Sequence, residues 1–325
     1  MFIYIMLSRR HLRIKALQAL YAYFISDSID LPVGEKNMLN STGKIYELIT
    51  YQFSFLLEIK KFAERRIEEG KKKFYPTKED LDPNTKFIDN RFLKQLAENR
   101  DYIRKKNAYK VNWHDEEVII RKLYLEVCSS EIYVNYMKSD TDNYYGDKAF
   151  ILKVFRDIIA YFPSLTSFYE EKNIYWADDI DTANALTLKI IKGMKASEDE
   201  FQPQPSLYNI DGKADPDEDK KFLIKLYHKT ILKSKEFEAM IANKTKNWEI
   251  DRIATLDIIL IKMALTEFLE FSSIPEKVTM NEYIELSKFY STPKSRVFIN
   301  GILDKLIIDL KKQKKLVKIG RGLIG

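Results

Sequence analysis

The sequence is poor both in residues that interrupt helices and in residues that do chemistry. Ten glycines and nine prolines in 325 residues amount to about half the roughly 12% of average usage, which predicts long helices and short connections. A single cysteine, Cys128, excludes a disulfide framework and a thiolate zinc cage and fits a reducing cytosol. In Leu125-Glu126-Val127-Cys128 it reads as a small buried hydrophobe. The three histidines, His11, His114 and His228, stand in neither an H-E-x-x-H pair nor the Glu-x-x-His spacing of di-iron bundles. No Walker A loop occurs, and the one G-x-G-x-x-G, at Gly320, Gly322 and Gly325, has no helix after it to receive a phosphate. No run approaches the roughly 18 apolar residues of a membrane span. The apolar opening, residues 1–7, lacks the basic leader of a secretory signal, and Met6 is an alternative start. With no catalytic set, metal ligands or cofactor loop to assemble, the chain reads as a non-enzyme of the cytoplasm.

What is present is unevenly placed positive charge. Residues 1–26 contain no Asp or Glu and carry Arg9, Arg10, Arg13 and Lys15. Residues 311–325, also free of acids, carry Lys311, Lys312, Lys314, Lys315, Lys318 and Arg321. The formal charge of +6 therefore leaves −4 for the 284 residues between. A polyanion could be met at the ends; for 311–325 a frayed, solvated tail is as good a reading. Ser8 is a plausible N-cap for a helix through Phe24 whose buried face would be Leu17, Leu20, Tyr21 and Phe24. Cations in its first turn oppose the helix dipole by ~0.3–1 kcal/mol each. They make sense if an anion such as RNA phosphate docks there.

Helical patterns fill the chain. Residues 44–69 place Ile45, Leu48, Ile49, Gln52, Phe53, Leu56, Ile59 and Ala63 on one side. Further helices are expected over 91–104, 117–137, 148–161, 164–171, 179–194, 222–232, 235–244, 251–271, 279–290 and 295–310. No sustained alternation compels a strand. Pro203-Gln204-Pro205 and the acidic run 211–219 read as a linker. An internal repeat at an offset of 72 residues aligns 147–155 with 219–227, Leu165 with Phe237, Phe168 with Met240, Trp176 with Trp248 and Asp179 with Asp251. A fainter copy starts at Ile119.

Toward the carboxyl end, 251–271 is apolar almost all round, as a helix at a bundle's centre would be. Thr279 and Glu282 have capping-box spacing before a helix through Ile284, Leu286 and Phe289. Ser295 is a plausible N-cap for a last helix with core face Ile299, Ile302, Leu303, Leu306 and Leu310. Lys294 and Arg296 again place cations beside a helix start. Gly301 reads as room for a close helix approach, with Asn300 tying the preceding turn.

These segments resemble the bacterial transcription antitermination factor NusB family. The resemblance is carried by Ser8-Arg9-Arg10, Arg13 and Ala16-Leu17-Gln18-Ala19-Leu20-Tyr21; by Asp251-Arg252-Ile253; by Lys277-Val278-Thr279-Met280-Asn281-Glu282-Tyr283-Ile284-Glu285-Leu286-Ser287-Lys288; and by Phe298-Ile299-Asn300-Gly301-Ile302-Leu303-Asp304-Lys305. It covers roughly 8–27 and 219–310. The resemblance implies an all-α, NusB-like helical bundle enlarged by an inserted, partly repeated set of helices. Residues 1–27 would supply the first bundle helix, 28–218 the insertion, 219–310 the rest of the bundle and 311–325 a basic tail. It further implies binding of single-stranded, boxA-like RNA of nascent ribosomal transcripts, together with the ribosomal protein NusE, in an RNA polymerase antitermination complex and away from membranes. The RNA contacts would map to Arg9, Arg10, Arg13, Lys15, Lys294, Ser295, Arg296 and Phe298, and the partner surface to Glu282 and Tyr283. Lys294 stands where the family commonly has an acid, which should strengthen phosphate attraction. Phe298 is either a stacking platform or a core residue packed on Ile302. Two other readings remain open here: a helical interaction scaffold whose insertion is the working surface, and an accessory domain of an RNA methyltransferase.

Overall fold

Fifteen α-helices make up the architecture, and no strand occurs among the described residues, which in the computed structural model are 7–26, 30–208, 218–245 and 253–323. In chain order they are α1 (Arg9–Ile25), α2 (Leu31–Lys71), α3 (Lys78–Leu81), α4 (Arg91–Glu98), α5 (Arg100–Ala108), α6 (Glu117–Ser129), α7 (Glu131–Lys138), α8 (Tyr144–Val154), α9 (Pro163–Lys172), α10 (Ile180–Gly193), α11 (Glu218–Leu232), α12 (Ser234–Lys244), α13 (Thr255–Glu270), α14 (Glu276–Tyr290) and α15 (Ser295–Lys312). One compact unit holds Gly43–Leu207; the other is assembled from the chain up to Thr42 and from Tyr208 onward. The division falls inside α2, and the first unit lies within the 28–218 expected for an insertion.

In the Gly43–Leu207 unit the expected face of α2 is buried in full, Gln52 included. The Gln52 amide donates to Asn184 Oδ1 (2.6 Å) and accepts from Thr187 Oγ1 (2.5 Å), while Asn184 Nδ2 donates to the Ala160 carbonyl (2.9 Å). That chain satisfies every amide group that burial would otherwise penalise. Around it Trp113 packs its ring 4.8 Å from both Phe55 and Phe168, and Trp176 lies 5.0 Å from Tyr51. α4 packs on α8, and α8 on α10.

Several expected helices are divided, for a local reason. Asn99 ends α4 and caps α5, accepting from the Tyr102 amide at 2.8 Å. Ser130 does the same between α6 and α7 with the Tyr133 amide at 3.2 Å. Side chains that compete with the backbone for hydrogen bonds favour such breaks. A π-helical turn, Phe155–Ile159, follows α8. The expected linker is not free at Pro203–Pro205: the Gln204 amide donates to Asp101 (3.0 Å), and Tyr46 Oη donates to the Pro205 carbonyl (2.8 Å). Most of the acidic run, 211–217, lies outside the described residues, as do Trp248 and Asp251 of the repeat.

In the other unit α13 is the central helix, packed by α1, α11, α12, α14 and α15. Its residues from Ile259 to Phe268 are all buried, as an all-round apolar pattern requires. α1 buries Leu12, Ala16, Leu17 and Leu20, whereas Tyr21, expected inside, is exposed. The expected face of α15 is buried throughout. Gly301 does not serve a close approach, because a Cβ built there would meet nothing within 4 Å. The segment after α15 is tied down rather than frayed. Lys314 takes positive φ, the Lys315 amide donates to the Leu310 carbonyl, and Lys318 Nζ donates to the Phe271 carbonyl at 3.1 Å. Lys318 thereby caps the carboxyl end of α13, where a cation suits the helix dipole.

Candidate nucleic-acid interface

The sequence gathers cations at the starts of α1 and α15. Ser8 does cap α1, its hydroxyl accepting from the His11 amide at 3.3 Å. The arginines that follow are not left opposed to the helix dipole, as the sequence suggested, because carboxylates from three other helices neutralise them.

Arg13 is the extreme case, with only 3% of its surface exposed. It donates two hydrogen bonds to Glu267 on α13, at 2.8 and 2.7 Å, and approaches Glu282 at 3.4 Å. Glu267, fully buried, also accepts from Thr279 Oγ1 (2.7 Å) and Tyr283 Oη (3.1 Å). Desolvation opposes the guanidinium charge, but the Glu267 hydrogen bonds and charge outweigh it and hold Arg13 firmly protonated. A buried ion pair with all lone pairs occupied is the arrangement that tolerates low dielectric. Thr279 and Glu282 therefore form no capping box. α14 starts earlier, at Glu276 after Pro275, and both side chains serve the arginines of α1 instead.

Arg10 and Arg9 lie farther out. Arg10 makes a two-pronged contact with Glu282, at 3.0 and 2.8 Å, with nearly half of its side chain exposed. The Arg10 hydrogen bond, reinforced by the charges of Arg13 and Arg10, holds the Glu282 carboxyl below its ordinary value against desolvation. Arg9 pairs with Glu218 (2.6 Å) and Asp219 (2.9 Å) and lies 4.4 Å over the Phe222 ring. Desolvation, helped by the charges of Arg10 and Lys15, lowers the His11 pKa.

At the second helix start, Lys294 and Arg296 are exposed and Phe298 is half-buried. Ser295 is buried and does not cap α15. Its hydroxyl closes the preceding turn, 2.8 Å from Thr292 Oγ1 and 3.0 Å from Ser291 Oγ, and accepts from the Thr292 amide. Lys294 and Phe298 line a cavity of about 620 Å³ with Ile253, Asp257, Pro293 and Val297.

α14 links the two starts. The Glu285 carboxyl is lowered by its Lys288 hydrogen bond first, and then by the charges of Lys288, Arg10 and Arg296. Arg10 and Arg296 thus act on one carboxylate and belong to one face. Of the expected contacts, the structure leaves Arg10, Lys294 and Arg296 exposed and Arg9 and Phe298 partly so, while Arg13, Lys15 and Ser295 are buried. Of the expected partner residues, Glu282 is half-buried under Arg10 and Tyr283 is fully buried. Burial removes these side chains from direct surface contact; they set the positions of α1 and α14.

Sequence reasoning missed a second hollow beside Arg9 and Arg10, about 1100 Å³ and lined also by Lys221, Phe222, Lys225, Phe271 and Val278. It also missed Phe289, expected in the core and found 76% exposed. The signal for Phe289 was present: it follows Lys288, three residues after the buried Leu286, and so falls between the core positions of α14.

This arrangement defines a class: an all-helical protein whose exposed cations and half-buried aromatic flank two neighbouring helix starts. The family follows from comparison with known proteins. Residues 182–307 match the NusB family, and the chain belongs to that family through this region. Transcription antitermination protein NusB of Salinibacter ruber is 46% identical over 100 residues, 31% of this chain and 62% of that protein. The protein of the same name from Chloroherpeton thalassium is 40% identical over 105 residues, 32% of this chain and 50% of that protein. That of Dictyoglomus turgidum is 38% identical over 95 residues, 29% and 66%. The chain thus spans between half and about two thirds of these relatives' length. The family match begins inside α10 and leaves out α1. No solved structure matches the chain. No helix among the described residues is long and apolar enough to cross a membrane.

Proposed function

We propose that the chain is a non-catalytic transcription antitermination factor. It binds boxA-type elements of nascent ribosomal RNA together with NusE and works within an RNA polymerase antitermination complex in the cytoplasm. The observation that carries this reading is the shared face of Arg10 and Arg296 on a domain similar to proteins named for antitermination. Lys294, Arg296 and Arg10 would neutralise phosphates, and Phe298 at the mouth of its cavity would take a base, since single strands are held by cations along the backbone and aromatic faces on the bases. Arg9 contributes from the rim. Arg13, Lys15 and Ser295 act as positioning residues, and Glu282 orients Arg10 beside the surface offered to NusE.

The test is binding of a boxA-type RNA to the whole chain, with and without NusE, across a salt series. Replacing Arg10, Lys294 and Arg296 together with Ala is expected to weaken binding and to flatten its salt dependence by about 0.7 per lost phosphate contact. Unchanged affinity and slope would overturn the assignment.

A further inference from the structure

The Gly43–Leu207 unit carries an exposed feature that the reading above does not use. At the end of α2 the chain runs Lys71-Lys72-Lys73-Phe74-Tyr75-Pro76. Phe74 is 89% exposed and Tyr75 84%, the highest exposures among the aromatic side chains described. Their rings stand edge to face, 4.7 Å between centroids and 89° apart. A lone exposed aromatic is ordinary. Two adjacent ones held in water after three lysines are not a by-product of core packing, because nothing of the core reaches them.

The turn is built to hold them there. Asp80 anchors it from the far side: Lys73 Nζ donates to both of its carboxylate oxygens, at 2.8 and 3.0 Å, and the Thr77 amide donates to it at 2.9 Å. The Asp80 amide donates to Thr77 Oγ1 at 3.1 Å, completing the capping box of α3. Gly70 leaves room for this carboxylate, since a Cβ there would come within 2.8 Å of Asp80 Oδ1. Lys71 pairs with Glu68 at 3.0 Å, and Lys72 joins no ion pair among the described residues.

We propose that residues 71–76 are a contact for single-stranded RNA, with Phe74 and Tyr75 stacking on bases and Lys71 and Lys72 meeting the flanking phosphates. Rings with open faces interleaved with cations are what a flexible single strand requires, whatever its sequence. A membrane surface fits less well. Glu68, Glu69 and Glu79 lie exposed within a turn or two of the lysines, and a flat anionic bilayer would meet them too, whereas a strand is narrow enough to follow the lysines alone. The inference goes beyond the boxA reading and holds whichever RNA the other unit takes.

The experiment measures binding of a labelled twelve-nucleotide oligouridylate to the full chain by fluorescence anisotropy at low salt. Phe74→Ala combined with Tyr75→Ala is expected to weaken binding at least five-fold, the lower limit for losing one stacked base. The loss should persist when Arg10, Lys294 and Arg296 are already Ala, which separates this contact from the other unit's. A 5-iodouridine oligonucleotide should photocrosslink to the peptide containing residues 74 and 75. Because both side chains are exposed, unchanged circular dichroism is expected of the variant. Equal oligouridylate affinity of variant and parent in both backgrounds would overturn the proposal. So would loss of binding to phosphatidylserine vesicles in the variant with RNA affinity intact.

Discussion

The two units contain stretches that correspond position by position at an offset of 72 residues. Asp147, Phe150, Ile151, Val154 and Phe155 are buried, and so are Asp219, Phe222, Leu223, Leu226 and Tyr227; Leu165 and Tyr169 answer to Phe237 and Ile241. Each stretch packs against an arginine-led helix, α8 on α4 and α11 on α1. Arg91 approaches Asp147 at 3.8 Å, and Arg9 approaches Asp219 at 2.9 Å. Beyond that the units part. The first satisfies its buried polar groups with neutral partners, Gln52, Asn184 and Thr187, and with Tyr136 donating to Asp147 at 2.8 Å. The second buries a full ion pair, Arg13 with Glu267. A shared frame of helices can thus be closed by amides or by charges, and the chosen closure decides how the core responds to mutation and acid.

The largest effect should come from breaking the charged closure. Arg13→Ala leaves Glu267 buried and unpaired and is expected to cost ~3–5 kcal/mol. Arg91→Ala, removing a half-exposed partner, should cost no more than ~1 kcal/mol. Urea unfolding of both variants measures the difference, and equal costs would erase the distinction drawn between the units. Asn184→Leu orphans the Gln52 amide and the Ala160 carbonyl, with an expected loss of ~1–3 kcal/mol, read by the same method.

Acid sharpens the contrast. A carboxyl held below its ordinary value, as Glu282 is, contributes stability that is complete above its unfolded-state value and lost as pH falls through the depressed one. Amide hydrogen exchange at pH 3 against pH 6 should therefore show α1 and α14 losing protection before α10. The smallest effect has the opposite sign. Gly301→Ala fills open space inside a helix and should stabilise the chain by ~0.5–1 kcal/mol, visible as a small rise in thermal midpoint.

Much of the helical frame was legible because periodicity is local: the faces of α2 and α15 were read in full from their apolar spacing. The breaks at Asn99 and Ser130 were not, since an Asn or Ser inside an apolar pattern is compatible with either a cap or a helix interior. The candidate interface was legible in its location and misread in its roles. Arg9, Arg10, Arg13 and Lys15 all read as surface charge, for nothing near them in sequence is acidic. Their neutralising carboxylates, Glu218, Asp219, Glu267 and Glu282, are more than 200 residues away. Thr279 and Glu282 misled for the same reason: their spacing matched a local motif while their partners came from α1 and α13. Whether a cation faces solvent is set by tertiary neighbours, and one-dimensional spacing carries no record of them.

The pairing of Arg13 with Glu267 also has a consequence for synthesis. α1 leaves the ribosome first, yet its carboxylate partners are translated among the last segments, so this helix must wait while the contiguous stretch from Gly43 to Leu207 can already condense. During that interval Arg9, Arg10 and Arg13 travel as an unpaired cationic segment, and only the arrival of α13 and α14 converts them from a mobile basic arm into a keystone.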